Sequence, residues 1–368
     1  MNSKTLLLLI FLVALAGLVA LGLRNEPTQA SVVEISSKWA MSGHADGTSR
    51  SWTYWDAAEP PAVPVACAKC HSFHGYLDHL GEDGTPAGVV DSAAMTGTVL
   101  YCNGCHNDSA HALTAVTYPS GVTIDGFGHE ATCMQCHQGR TAGANVERAV
   151  AGKDEDVPNA DIVFINIHYF AAGASAMGSE AAPGYQYAGL SYASRFAHTP
   201  NYRTCIQCHN PHSLEIEPTD CSPCHSNVAS TKDYVGIKQG AADYDGDGDV
   251  IEGVAMEVKG IQEALYAAIQ TYARSIGGKP IGYEPDTHPY FFVDTDGNGS
   301  ISADEAKAAN RYNAYTPRLL KATYNYQAVK KDPGAYAHNP KYVIQLLHDS
   351  LKSLGEKVQV SMSGMARP

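Results

Sequence analysis

The ten cysteines of this 368-residue chain all lie in one repeated pentapeptide, Cys-x-x-Cys-His. It occurs five times, beginning at Cys67, Cys102, Cys133, Cys205 and Cys221. Two thiols at this spacing can add to the two vinyl groups of one haem, and the histidine that follows is then held against the iron. The pattern predicts thioether bonds at Cys67, Cys70, Cys102, Cys105, Cys133, Cys136, Cys205, Cys208, Cys221 and Cys224, with His71, His106, His137, His209 and His225 as proximal iron ligands.

Other sites built from paired cysteines explain this pattern less well. Zinc ribbons and thioredoxin-like redox pairs need the cysteines but no histidine after each pair, and disulfides need no fixed spacing. Five complete pentapeptides with no cysteine left over therefore indicate five haem c groups. On these motifs the chain resembles the multihaem c-type cytochromes as a superfamily, over about residues 39–225 and more weakly through its C-terminal helices.

The resemblance implies that most of these irons carry a second axial histidine, as low-spin electron-transfer haems do. Five of the sixteen histidines are proximal ligands, which leaves eleven to supply the distal ones. His44, in Trp-x-x-x-x-His-Ala, and His198 and His212 resemble distal elements of the superfamily, and His168 has an apolar flank suited to a porphyrin face. The five distal candidates are His44, His168, His198, His212 and His338.

The fifth distal position has competing candidates. His338 is flanked by small residues and would explain why a region without haem motifs is attached to the chain. His111 and His129 lie nearer to motifs and are the alternatives. His74 and His79 could be ligands or simply exposed side chains. His288 and His348 are interpreted as structural residues.

The N-terminus indicates export from the cytoplasm. Lys4 precedes an apolar run over residues 5–23 that contains no charge, as in a signal peptide or membrane anchor. The run is longer than the usual signal core of about 7–15 residues and nearly long enough to span a bilayer. Residues 1–30 are therefore predicted to be a cleaved signal or a retained anchor, and the rest to be extracytoplasmic, in the periplasm, at the cell surface or secreted.

The acidic balance restricts the partners. The formal charge is −13, and haem propionates would add to it. Such a surface disfavours nucleic acid and favours cationic docking partners. Redox partner proteins, including a membrane-bound donor, are expected, and a homo-oligomer or filament is a further hypothesis.

The fold class follows from where the motifs stop. Residues 31–235 contain all five motifs and little periodic sequence, so haem would replace side chains in the core of a pentahaem domain. Apolar residues at helical spacing from Val254, a Thr316-Pro317 start and a last helix from about Pro340 predict a small helical domain over residues 236–368. The segment from Asp161 to Phe170 reads as a buried strand or the start of a helix. We predict a mainly α protein with little regular structure.

Two acidic loops in the helical domain are candidate calcium sites. Residues 294–305 match the twelve-residue EF-hand pattern at every position, with ligands from Asp294, Asp296, Asn298, Ser300 and Glu305. A second loop begins in the same way with Asp243, Asp245 and Asp247. Val254 occupies its twelfth position, so Glu252 or Glu257 would have to reach in.

The main functional hypothesis is extracytoplasmic electron transfer along a chain of five haems, including extracellular transfer or a polymeric wire. An iron with two histidines has no free position and can do little except pass electrons. The alternative is a reductase or oxidoreductase with one open haem that acts on a small nitrogen or sulfur compound. Pentahaem nitrite reductases use a lysine-ending motif, and all five motifs here end in histidine, which argues for a carrier rather than that enzyme.

Overall fold

The protein is mainly helical with little sheet, as expected from its sequence. The computed structural model describes residues 31–200, 202–238 and 240–368. Its α-helices are α1 Val32–Ala40, α2 Arg50–Thr53, α3 Val65–His71, α4 Phe73–Leu80, α5 Asp108–His111, α6 Glu130–Met134, α7 Gly143–Val150, α8 Ala172–Met177, α9 Cys205–Cys208, α10 Pro218–Cys221, α11 Val254–Ser275, α12 Pro317–Lys330, α13 Ala335–His338 and α14 Pro340–Gly355. The predicted leader lies outside the described residues, among which no helix could cross a membrane.

The sheets are small. The strands are β1 Ala62–Val63, β2 Ala94–Met95, β3 Val116–Thr117, β4 Thr123–Ile124, β5 Ile281–Tyr283 and β6 Phe291–Val293. They form three antiparallel pairs in the described chain, β1 with β2, β3 with β4 and β5 with β6. In the last pair Ile281 lies opposite Val293 and Tyr283 opposite Phe291.

The three long C-terminal helices form where the sequence predicts them. The buried face of α11 includes Ile261, Leu265 and Ile269, which recur at helical spacing. Helix α12 begins at a Thr316 cap whose side chain accepts a hydrogen bond from the Leu319 amide, with proline at the first helical position. Helix α14 begins in the same way after Asn339.

The main hydrophobic core joins these helices to a segment that lies between the third and fourth haem motifs. Val146, Ile162 and Tyr185 belong to the same buried cluster as the residues of α11, α12 and α14. Asn325 of α12 fixes this segment, because its amide accepts from the Tyr185 backbone N–H at 2.7 Å and donates to the Tyr185 carbonyl at 2.9 Å. Residues on both sides of residue 235 therefore pack in one hydrophobic core. The division of the chain into two domains at this point stays a prediction.

The motif-bearing region has far less apolar side chain in its interior. Its largest separate cluster is formed by Val116, Tyr118, Phe127, Ala131, Met134, Ala174, Met177 and Ala181. Two smaller clusters contain three buried residues each. Such small clusters bury little area for a region of this length, which fits the expectation that haem supplies the interior.

The segment from Asp161 to Phe170 is neither a strand nor the start of a helix, so that prediction is wrong. Ile162 and Ile167 are buried, but the backbone has positive φ at His168 and Phe170, 82° and 54°. Two left-handed residues so close together interrupt any regular element. The side chain of Asn166 supports the turn by accepting a hydrogen bond from the His168 amide at 2.9 Å.

An ion-pair network also ties the segment between motifs to the C-terminal helical region. Asp156 accepts hydrogen bonds from Arg318 Nε at 2.6 Å and from the Tyr272 hydroxyl at 2.7 Å. Lys357 Nζ lies 3.0 Å from the same carboxylate. Burial alone would raise the pKa of Asp156, but these donors outweigh it and lower that pKa to about 2.

We predict that Asp156→Asn lowers the free energy of unfolding of the helical region by about 1–2 kcal/mol at pH 7, a reduced value because the carboxylate is 22% exposed. The folded-state pKa is below the ordinary value of 3.8, so this contribution is complete above pH 3.8 and is lost as the pH falls towards 2. Denaturant unfolding followed by circular dichroism at pH 7 and pH 3 measures it. Asp154→Asn, at an exposed position two residues away, should leave stability unchanged. An equal loss from both variants would contradict the prediction.

Candidate haem sites

Each Cys-x-x-Cys-His motif forms a helical turn. The first lies within α3, and in the other four the histidine amide donates to the carbonyl of the first cysteine at 2.8–3.0 Å. Residues three and four apart share one side of a helix. Both thiols and the histidine of each motif can therefore face the same ligand, and none of the ten cysteines is in a disulfide.

Four of the five motifs line one continuous cavity of about 2800 Å³. An ordinary small-molecule pocket has about 300–1,000 Å³, so this space is large enough for several big ligands. Its walls include both cysteines and the histidine of the first, third, fourth and fifth motifs, together with His44, His168, His198 and His338. The thiols and imidazoles that the sequence assigned to four of the five haems thus converge on one interior.

Each motif histidine faces one of the five distal candidates. The ring centres are 5.7 Å apart for His71 and His168, 6.1 Å for His106 and His212, 6.3 Å for His137 and His44, 6.4 Å for His209 and His338, and 6.0 Å for His225 and His198. The partners are distant in sequence in most pairs, so the fold brings them together.

These separations suit an iron held between two imidazoles. With metal–nitrogen bonds of about 2 Å, the two ligating nitrogens lie about 4 Å apart and the ring centres about 6 Å apart. The Nε2 atoms of His71 and His168 are 3.4 Å apart, close to that value. The donor set of two thiols and two imidazoles at each motif therefore fits a covalently attached haem.

Hydrogen bonds orient three of the motif histidines. The Nδ1 atoms of His71, His137 and His209 lie 2.8, 3.1 and 3.0 Å from the backbone carbonyls of Ser51, Phe170 and Leu214. A carbonyl can only accept, so Nδ1 carries the proton and Nε2 is left as a metal ligand. The strained turn at residues 166–170 thus serves two sites, since it presents His168 to His71 and the Phe170 carbonyl to His137.

Two of the distal candidates that line the cavity, His44 and His168, are held in their neutral form. Burial, and secondarily the neighbouring His137, lowers the pKa of His44 to about 4. Burial and the neighbouring His71 have the same effect on His168, whose pKa is also about 4. Neutral imidazole is the form that binds a metal, so these side chains are ready to ligate at neutral pH.

The other histidines have different surroundings. His111 and His129 face each other with ring centres 5.6 Å apart, and His111 lies 6.1 Å from His106, nearly perpendicular to it. His212 lies at the same distance from His106 but with its ring almost parallel, at 10°. The rest make local contacts: His79 with Gln135, His288 with Tyr290, His348 with Asp349 and His74 with Phe73.

The motifs adjoin one another. Cys70 Sγ lies 3.8 Å from the carbonyl of Gln135, and Cys136 Sγ lies 3.8 Å from the carbonyl of Lys69, so the first and third motifs face each other. Cys205 of the fourth motif packs against the cluster that contains Met134, within the third motif. The sequence had shown no such neighbours except the fourth and fifth motifs, which eleven residues separate.

The acidic loop at 294–305 is compact and preformed. Asp294 accepts from the amides of Gly297 and Gly299, both at 2.9 Å, and oxygens of Asp294, Asp296 and Glu305 lie within 4.8 Å of one another. The loop follows strand β6 and leads into a 3₁₀ turn at Ala308–Asn310, so it is not flanked by two helices.

In the other acidic loop two glutamates approach the aspartates. Asp243 and Asp245 cluster with Glu257, and Asp245 and Asp247 cluster with Glu252. Glu257 also forms an ion pair with Lys238 and accepts from the Tyr244 amide at 2.6 Å. Burial, with the nearby charges of Asp245 and Asp247, raises the pKa of Glu252 to about 7, as expected where several carboxylates crowd together.

Sequence reasoning missed Asp332, whose place directly before Pro333-Gly334 indicates only a turn. The His338 Nδ1 atom lies 2.9 and 3.0 Å from the two carboxylate oxygens of Asp332. The only signal available was the six-residue spacing between an aspartate and a candidate ligand. The spacing predicts a contact between Asp332 and His338 only when the conformation of the turn and of α13 is known.

Comparison with known proteins gives two similar sequences from Geobacter sulfurreducens. The chain is 27% identical to the c-type polyheme cytochrome OmcB over 383 residues, which covers 85% of this chain and 47% of OmcB. It is 27% identical to the c-type polyheme cytochrome OmcC over 381 residues, 84% of this chain and 45% of OmcC.

The chain therefore spans about half the length of the curated relatives it matches. No protein-family model and no solved structure matched it. The chain is thus similar to polyheme c-type cytochromes over most of its length, and its five motifs agree with that similarity.

Proposed function

We propose that the protein transfers electrons outside the cytoplasm through five haem c groups, each with two histidine ligands. The observation that carries this proposal is the pairing of all five motif histidines with a second histidine at 5.7–6.4 Å between ring centres. Haem iron supplies the one-electron couple. The paired histidines of the chain would hold each iron from both sides.

The proposed distal ligands are His168 for the first motif, His212 for the second, His44 for the third, His338 for the fourth and His198 for the fifth. For the second motif we choose His212 over His111, because both lie 6.1 Å from His106 but His111 also faces His129, with ring centres 5.6 Å apart. This assignment accounts for every motif without using a neighbouring subunit, so our proposal does not require a filament.

The neighbouring motifs support a connected path for electrons. The first motif faces the third, and the third adjoins the fourth. Cys105 of the second motif lies near Cys133 of the third, and Cys208 near Cys221 links the fourth to the fifth. In this proposal the third motif adjoins three others, so the motif residues would hold neighbouring haems close enough for electron transfer between them.

A catalytic haem would need a motif histidine without a second ligand. Each of the five has one within reach, so no observation favours the reductase over the carrier. The acidic surface fits cationic redox partner proteins, including a membrane-bound donor. The predicted leader at residues 1–30 would place the haem region in the periplasm or at the cell surface.

We also propose that calcium binds the loop at 294–305, and the loop around Asp243–Asp247 with Glu252 or Glu257. The support is the full match of the first loop to the calcium pattern and the crowding of carboxylates in both. A bound cation would neutralise that crowding and fix the helical region on either side of α11.

Intact mass of the purified protein should show five covalent haems. His168→Ala should keep all five and convert one iron to a high-spin form that binds carbon monoxide, because the cysteines and His71 remain while the second ligand is lost. Optical spectra of the reduced protein with and without carbon monoxide measure this.

The matched control is His288→Ala, which removes an imidazole from the wall of the same cavity at a residue without a motif partner. It should leave every iron low-spin. A mass that corresponds to fewer haems, or equal carbon monoxide binding in both variants, would contradict the proposal.

Glu305→Gln should weaken calcium binding at the 294–305 loop by at least about tenfold, because the twelfth position supplies a bidentate carboxylate in this type of loop. Isothermal titration calorimetry of the metal-free protein measures it. Asp304→Asn, whose side chain is 96% exposed, is the control and should bind normally. Unchanged calcium binding in Glu305→Gln would remove this loop from the proposal.

A further inference from the structure

Among the ten paired histidines, His338 alone has a carboxylate as its Nδ1 partner within the described residues. Both oxygens of Asp332 lie close to that nitrogen, at 2.9 and 3.0 Å. The Nδ1 atoms of His71, His137 and His209 have backbone carbonyls as their hydrogen-bond partners instead. The axial ligand of the fourth haem therefore differs electrostatically from the others.

The Asp332 carboxylate is directed at His338. The residue is 2% exposed, and His338 is its sole ion-pair partner in the described part of the chain. Lys331 is adjacent in sequence, but its ammonium group is directed elsewhere, since it donates to the Pro285 carbonyl and lies over the Tyr169 ring, 3.6 Å from the centre. No cation among the described residues therefore neutralises the carboxylate.

The surrounding backbone holds the pair in place. Asp332 also accepts from the Gly334 amide at 3.2 Å, which fixes the carboxylate in the turn after α12. A β-carbon at Gly334 would lie 2.6 Å from His338 Cε1, so glycine is needed for the imidazole to pack against this turn. The ring thus lies between a fixed acceptor on one side and the ring of His209 on the other.

A carboxylate that accepts from the far nitrogen of a ligating histidine makes that histidine a stronger electron donor to the metal. Ferric iron has one more positive charge than ferrous iron, so it gains more from the stronger donor and the nearby negative charge. Reduction of that iron by one electron becomes less favourable.

We propose that Asp332 is a positioning residue that lowers the reduction potential of the haem attached at Cys205 and Cys208, acting through His338. This inference rests on the proposed ligation of that haem by His209 and His338. It also gives the motif-free helical region a redox role, since the turn after α12 and helix α13 supply both residues.

The test is a potentiometric titration of the holoprotein followed by optical and low-temperature EPR spectra. His338→Ala first identifies the haem concerned, which should become high-spin. In Asp332→Asn the same haem should remain low-spin and titrate at a potential higher by about 59 mV or more, which is a tenfold change for one electron. The haem of the third motif, whose His137 also lies near Asp332, should shift less, and the other three should keep their potentials.

Asp332→Glu keeps the charge and should stay near the wild-type value. Asp286→Asn removes an exposed carboxylate from the same cavity wall and is the matched control, with no expected shift. An unshifted haem in a fully assembled, low-spin Asp332→Asn protein would overturn the inference.

Should Asp332→Asn fail to assemble, the wild-type protein still tests the idea. Its fourth haem should have a potential below the mean of the other four, and a value above that mean would overturn the inference. Failure of the underlying proposal looks different, because His338→Ala would then produce no high-spin haem at all.

Discussion

The structure depends on the distance between facing imidazoles. Five pairs of rings lie 5.7–6.4 Å apart, a separation suited to one metal ion between each pair. The helical turn of each motif, the turn at residues 166–170 and the end of α13 each hold one member of such a pair. This requirement explains why a region with small hydrophobic clusters can have a defined fold.

The C-terminal helices and the motif region depend on each other. The largest core contains residues of α11, α12 and α14 together with Val146, Ile162 and Tyr185 from the segment between motifs. That segment carries His168, and the turn after α12 leads to His338, so the same core positions both of these distal candidates. Asp156 and Asn325 add polar contacts across the same junction. Loosening the helical region would therefore be expected to disturb haem ligation as well as stability.

The sequence was most informative where chemistry or periodicity is local. Spacing alone located the five motifs. The apolar repeat predicted the bounds of α11, and the Thr-Pro start predicted the beginning of α12. The five distal candidates were chosen from flanking residues, and the structure brings each of them beside a motif histidine, although which of them bind iron stays a prediction. The pairing itself was out of reach, because it depends on contacts such as that between His338 and His209, which lie far apart in sequence.

Two other features could not be predicted from the sequence, for physical reasons. The apolar run from Asp161 to Phe170 looked like a regular element, yet two residues with positive φ turn it into a support for two sites. No local sequence pattern predicts a positive φ at residues other than glycine. Asp332 was hidden for a similar reason, since a carboxylate in an Asp-Pro-Gly turn is usually exposed, and its burial depends on the α12–α13 junction.

The most direct test of the account is a low-temperature EPR spectrum of the fully oxidised wild-type protein, integrated against its iron content. Five histidine pairs predict that all of the iron contributes to low-spin ferric signals and that no high-spin signal is present at neutral pH. A high-spin signal that accounts for about one-fifth of the iron would contradict the pairing of all five motif histidines and would favour a catalytic haem.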